Sequence, residues 1–242
     1  MAKIFINTIV KENTLTQKEF IRQLAELQLP IDGIEIRREM LSELPKERKK
    51  ELIEIAELAK ENNWTMMYSV PESLFLTQGI NPAFDVWVKE LQLFNGESMK
   101  VNTGDVASIL SVDGKRIKEL IAEAGIRVTI ENDQTAENGT FEATKQALTN
   151  ISEAKLPIGY TFDVGNWLVM GESPEAAYRQ LQETIDVIHL KNMDEESKSV
   201  LLDEGIAEWP LFIKGQEIIV LEYPMKLSEI ANEIKRVIEE EN

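Results

Sequence analysis

Apolar runs of four to seven residues recur along the chain, separated by longer stretches in which apolar residues fall three and four apart. The runs at 3–9, 33–38, 64–70, 98–101, 127–131, 158–163, 187–191 and 217–222 read as strands, and the stretches between them as amphipathic helices. Several helices announce their starts. Thr16 precedes the periodic Phe20, Ile21, Leu24 and Leu27; Pro45 opens a segment with Leu52, Ile55, Ala56 and Leu58; Asp105 precedes Ile109, Ile117, Leu120 and Ile121. Ser173 caps a start with Pro174 in its first turn, and Ser228 begins Ile230, Ile234, Val237 and Ile238. Two further helices are expected near 84–94 and 203–213. Glycine or proline marks returns into strands, as at Gly33, Gly125 and Pro157.

Strands and helices alternating through short turns predict an α/β fold whose parallel sheet is buried on both faces. Eight strands close a (β/α)8 TIM barrel, and 242 residues match its usual length of about 250. A doubly wound open sheet shows the same alternation. Such a sheet, when it binds dinucleotides, usually has a glycine-rich turn after its first strand, whereas Thr-Ile-Val-Lys-Glu-Asn at 8–13 holds no glycine. The expectation is one barrel domain over 1–242, with its chemistry at the C-terminal strand ends.

Composition narrows the function. With 43% hydrophobic residues the chain can fill a sizeable core, yet no stretch approaches the ~20 apolar residues of a membrane span. The N-terminal run Ile4–Val10 is too short and too polar at its centre for a secretory signal, so a cytoplasmic location is the default expectation. Zero cysteines exclude disulfides, thiolate catalysis and Cys-ligated zinc. A net charge of −17 opposes attraction to nucleic acid or to an anionic membrane, and neither is an expected partner. The run Glu239–Glu241 reads as a solvated helix end.

Four polar residues end the last four inner strands. Glu131, Asp163, His189 (the only histidine) and Glu222 are 32, 26 and 33 positions apart, about one strand-plus-helix unit each time. Strand side chains alternate, so Thr129, Glu131 and Asp133 share a face, as do Thr161 with Asp163, Val187 with His189 and Lys191, and Val220 with Glu222. The alternates Ile130, Phe162, Ile188 and Leu221 suit the outer face, leaving the polar set in the barrel mouth. At ~4.8 Å per strand the outer two tips lie about 14 Å apart, a span that two long glutamates can close. One imidazole and three carboxylates are a ligand set for a divalent ion: Mn²⁺ or Mg²⁺ first, with Co²⁺, Fe²⁺ or Zn²⁺ as alternatives.

Blander readings stand beside this one. A lone histidine at a strand end is often a satisfied structural residue, and a single Asp or Glu there serves as a helix cap or half a salt bridge. Arg37, Lys100 and Lys191 could neutralise the carboxylates in a metal-free network. Trp167 and Tyr223 read as rim or core packing ahead of sugar-stacking platforms, and Gly165 as a turn residue.

Thr129–Asn132, Thr161–Asn166, His189–Lys191 and Leu221–Tyr223 together resemble the xylose isomerase-like barrels, the sugar (phosphate) isomerase/epimerase superfamily. The resemblance covers essentially the whole chain, with Gly33–Arg38 similar to the family's second strand and Met99–Val101 to its fourth. It implies that Glu131, Asp163, His189 and Glu222 hold the metal, with Glu131 and Glu222 also the acid/base pair, and that homo-oligomers are common. Asn166 departs from the family, which often has histidine there. A single histidine also excludes the three-zinc site of the related abasic-site endonucleases.

The implied reaction is proton transfer beside a carbonyl through an enediolate, which epimerises a carbon or moves the carbonyl. Arg37, Lys100, Lys191 and Asn166 are candidate substrate-binding residues. The three cations suit a phosphate or carboxylate, so a sugar or an anionic sugar derivative is the expected partner. The same cations could instead pair with Glu35, Glu39 or Asp133. A non-catalytic sugar- or metal-binding barrel, and a lyase or dehydratase using the same enediolate chemistry on a keto sugar or keto acid, are the competing classes.

Overall fold

The computed structural model describes residues 1–12 and 14–241; Asn13, the last residue of the glycine-free segment 8–13, lies outside them. Eight parallel strands close a barrel: β1 (Lys3–Asn7), β2 (Gly33–Arg37), β3 (Thr65–Leu76), β4 (Ser98–Gly104), β5 (Arg127–Glu131), β6 (Gly159–Asp163), β7 (Ile185–Leu190) and β8 (Ile218–Leu221). Each strand pairs with its neighbours in sequence, and β8 returns to β1 through Lys3 opposite Ile218 and Ile6 opposite Leu221. The fold is the expected (β/α)8 TIM barrel, not an open sheet.

Helices α1 (Gln17–Glu26), α2 (Pro45–Glu61), α3 (Phe84–Leu93), α4 (Gly114–Ala124), α5 (Phe141–Glu153), α6 (Val164–Val169), α7 (Pro174–Leu181), α8 (Pro210–Ile213) and α9 (Leu227–Glu241) surround it. Thr16 caps α1 in a full capping box with Glu19, as the sequence pattern suggests. Among the described residues no helix is long and apolar enough to cross a membrane.

Several expected boundaries shift. Residues 8–10 form a 3-10 turn rather than extending β1, because the Asn7 side chain accepts from Ile9 N and starts the turn. Asp105 does not open one helix reaching Ile121. It caps a 3-10 turn, Val106–Ser111, and Asp113 then caps α4 separately. Helix α5 escapes the apolar periodicity because its buried face carries the polar Thr144 and Asn150 beside Ala147 and Ile151. The stretch 203–213 holds only a 3-10 turn, Leu202–Glu204, and the four-residue α8. Strand β3 runs on to Leu76, past a bulge after Val70, and adds a short antiparallel partner, Gly79–Ile80.

The apolar residues form two separate cores. Ile130, Phe162, Ile188 and Leu221 belong to the large core between strands and helices. Inside the barrel, Phe5, Met67, Val187 and Val220 make a small plug of their own. Two positions further along the same strands stand the buried Asn7, Ser69, His189 and Glu222. A dry floor therefore lies directly beneath the polar layer, and removal of water there strengthens every charge interaction above it.

Candidate metal and substrate site

Glu131 and Asp163 end β5 and β6, His189 lies in β7, and Glu222 follows β8; all four are buried. Each offers one ligand atom, and these atoms lie within 4.8 Å of one another. The imidazole is the hub. Its Nδ1 stands 2.9 Å from Glu222 Oε2 and 3.1 Å from Glu131 Oε1. The second contact is close but misaligned, so Glu131 Oε1 is a buried oxygen without a hydrogen-bond partner.

The three basic residues of the mouth hold the other side of these carboxylates. Lys100 Nζ donates to Glu131 Oε2 at 2.8 Å, Arg37 Nη1 to Glu222 Oε1 at 2.6 Å, and Lys191 Nζ to Asp163 Oδ2 at 2.9 Å. Arg37 also donates to Glu39, but none of the three cations pairs with Glu35 or Asp133 among the described residues. Each glutamate thus gives one oxygen to a fixed cation and turns the other towards His189 Nδ1. Asp163 serves in addition as the helix cap of α6, accepting from Asn166 N.

The balance of charge tests the fit of a metal. Glu35, Glu131, Asp163 and Glu222 are buried carboxylates, and the cations that oppose them are Arg37, shared with Glu39, Lys100 and Lys191, so carboxylates outnumber cations. The imidazole responds to this excess: burial opposes its protonation, but Glu35 and Glu222 outweigh that and hold its pKa well above the usual value. Burial opposes the ionisation of Glu222 too, yet His189 and Lys100 hold its carboxyl well below the ordinary range. Asp163 goes the other way, pushed up to about 7 by burial, with Glu222 and Glu131 adding to the rise against Lys191. A hard donor set, an orphaned carboxylate oxygen and an excess of buried carboxylates all fit a divalent cation.

Supporting residues fix this arrangement. Asn132 accepts from Asp163 N and from the Tyr160 hydroxyl, and donates to Asp163 O, tying β5 to β6. Asn166 donates to Asn132 O and accepts from Lys191 and Gln134, so it orients the lysine that pairs with Asp163. Gly165 is not a turn residue: it lies in α6, where a Cβ would come within 2.6 Å of Lys191 Cε. Trp167 and Tyr223 are fully buried core residues, the first against Phe162 and the second donating to Glu233.

Sequence reasoning passed over Asn7, Asn132 and Gln134 as site residues, and treated Glu35 only as a salt-bridge partner. The signal for Glu35 was present. Period-two alternation along Gly33–Arg37 puts Glu35 on the face of Arg37, inside the barrel.

Glu131 and Glu222, two of the four residues, border a cavity of about 440 Å³. Its walls include Arg37, Lys100, Glu131, Asp133, Asn166, Lys191 and Glu222, which joins the candidate substrate-binding residues to the candidate ligands. A larger hollow of about 810 Å³ lies at the opposite, N-terminal end, around Lys3, Phe5, Met67 and Arg127. It holds none of the four, and active sites of this architecture sit at the C-terminal strand ends.

No protein-family model matches the sequence, and no curated protein matches it. Solved structures do. The probable 3-DHS dehydratase AsbF from Bacillus anthracis superposes with a TM-score of 0.72 at 16% identity over 100% of both chains. The 3-keto-D-glucoside 4-epimerase YcjR from E. coli gives 0.70 at 11% identity over 99% of this chain and 100% of its own. A xylose isomerase-like TIM barrel protein from Mycobacterium smegmatis, in complex with magnesium, gives 0.66 at 13% identity over 99% and 96%. At such identities the likeness is one of fold: the chain is a closed eight-stranded barrel of the xylose isomerase-like type.

Proposed function

We propose that the chain is a divalent-metal-dependent isomerase or epimerase that moves a proton beside the carbonyl of an anionic sugar derivative. The observation that carries this reading is the gathering of Glu131, Asp163, His189 and Glu222 ligand atoms within 4.8 Å, with Glu131 and Glu222 bordering a cavity that Arg37, Lys100 and Lys191 also line. Mn²⁺ or Mg²⁺ suits three carboxylates and one imidazole. A cation so held supplies positive charge that stabilises the negative charge developing on a substrate carbonyl oxygen.

The chain's own groups do the rest. Glu131 and Glu222 border the cavity from separate strands, β5 and the end of β8, and act as the acid/base pair. Each carboxylate is partnered on its far oxygen, by Lys100 and by Arg37, which holds the other oxygen towards the centre. Removal of a proton by one and return by the other inverts a carbon; return to the neighbouring carbon moves the carbonyl.

The same charge balance bears on the substrate. A divalent cation would add positive charge where three cations already line the cavity, which favours a substrate that carries a phosphate or carboxylate. Arg37, Lys100 and Lys191 reach the cavity wall to meet it, with Asn166 beside Lys191. Arg37→Ala is expected to raise KM for an anionic substrate about 10- to 100-fold, the worth of a hydrogen bond to a charged group. An unchanged KM in steady-state kinetics removes Arg37 from the binding site. Nucleic acid fits poorly, given the net charge of −17.

The direct test is exchange in D₂O. Metal-loaded protein, incubated with ketoses, their phosphates and keto acids, is expected to deuterate the α-carbon of its substrate, and a chelator to stop the exchange. Release of water with formation of a new keto acid assigns a dehydratase instead. Metal binding without exchange across the panel assigns a non-catalytic barrel, in which the three cation–carboxylate pairs are structural.

A further inference from the structure

The two ring nitrogens of His189 face different surroundings. Nδ1 looks towards Glu131 Oε1 and Glu222 Oε2, both candidate ligands. Nε2 looks the other way, across the barrel interior, to Glu35 Oε2 at 3.3 Å, and has no aligned hydrogen-bond partner. Glu35 stands on β2, is fully buried, and is not among the converging ligand atoms. Its carboxylate is fixed from behind: Asn7 Nδ2 donates to Glu35 Oε2 and, at 3.2 Å, to Glu222 Oε1. The remaining oxygen, Glu35 Oε1, is buried without a partner.

A buried carboxylate with one oxygen, Oε1, unpartnered and the other, Oε2, 3.3 Å from a buried ring nitrogen that itself has no partner calls for a reason. We propose that Glu35 is a positioning residue: it accepts the Nε2 proton of His189 across the barrel and so leaves Nδ1 as the ring atom presented to the metal. At 3.3 Å the pair is just beyond an aligned hydrogen bond, and a small rotation of the imidazole completes it. An acceptor opposite the ligating nitrogen fixes the tautomer, the ring plane and the basicity of the ligand. Asn7 extends the linkage by joining Glu35 to Glu222, so the orientation of one ligand is tied to the position of another. The inference rests on the metal reading above and adds to it a residue outside the ligand set.

His189 is the chain's only histidine, so in untagged, ¹⁵N-labelled protein its ring gives one set of nitrogen and proton resonances. In the Mg²⁺-loaded wild type, the proton is expected on Nε2 and not on Nδ1, with the Nε2 proton shifted downfield by the carboxylate. Glu35→Met is expected to move that resonance upfield and to weaken Mg²⁺ binding, measured by calorimetry, about 10- to 100-fold. Glu35→Gln keeps an oxygen acceptor without the charge and falls between the two in both measurements. Mg²⁺ bound with the proton on Nδ1 overturns the proposal. So does a folded Glu35→Met protein with an unmoved resonance and unchanged affinity; if that variant does not fold, an unmoved resonance in Glu35→Gln decides against it. A wild type that takes up no divalent ion sinks the metal reading itself, a different outcome from all of these.

Discussion

On the proposed function, replacing Glu222 with glutamine is expected to lower α-proton exchange by about 10²- to 10⁴-fold, the usual contribution of a positioned acid or base. Glu131→Gln does the same. The two variants differ in what else they disturb. Glu222 ties together His189 Nδ1, Arg37 and Asn7, so its loss is also expected to weaken metal binding and to free the Arg37 guanidinium. Glu131 keeps the almost fully buried Lys100 neutralised, so Glu131→Gln removes the countercharge of a buried cation. Glutamine retains an oxygen that Lys100 can meet, which should preserve the fold while lowering its stability. Exchange rates, measured at saturating metal with Mn²⁺ affinity determined separately, distinguish lost proton transfer from lost metal. Exchange within tenfold of wild type in either variant removes that glutamate from the acid/base pair.

Metal affinity is the second large effect, and it depends on pH. In the metal-free protein His189 holds its protons well above the usual imidazole range, with burial opposed by Glu35 and Glu222, and Asp163 stays protonated up to about 7 through burial. A cation must displace a proton from each. Apparent affinity therefore rises with pH, about tenfold per unit where one proton is displaced and more steeply below about 7, where Asp163 also yields one. Metal-free stability runs in the opposite sense. Folded His189 binds its proton more tightly than the unfolded chain does, so its contribution is full below about 6.5 and fades as pH rises through the folded value. Asp163 is raised as well, and metal-free stability falls as pH climbs from about 4 towards 7. Glu222 and Glu131, both lowered, contribute stability above the normal carboxylate range and lose it only in acid. Thermal melts at pH 6, 7 and 8 should thus show a Tm increment on adding Mn²⁺ that grows with pH. An increment independent of pH contradicts proton displacement.

The barrel was legible because its strands are buried on both faces and its outer positions are uniformly apolar, as at Ile130, Phe162, Ile188 and Leu221. The candidate ligands were legible because each ends or closely follows an inner strand, where alternation fixes which way a side chain points. Less regular pieces hid. Helix α5 buries Thr144 and Asn150, which erases its apolar stripe, and Asp105 and Asp113 are both good caps, so sequence alone merged a 3-10 turn with α4. Pairing was the least visible. Nothing in the spacing says that Lys191 turns back to Asp163 on the neighbouring strand, or that Glu35 reaches His189, a contact that crosses the barrel and depends on its curvature.

One measurement bears most directly on the whole account: anomalous diffraction from crystals grown with Mn²⁺. The account predicts a single strong peak per chain, about 2.0–2.6 Å from one atom each of Glu131, Asp163, His189 and Glu222. Full Mn²⁺ exposure with no peak among these four residues, and Lys100, Arg37 and Lys191 still closed on their carboxylates, contradicts it.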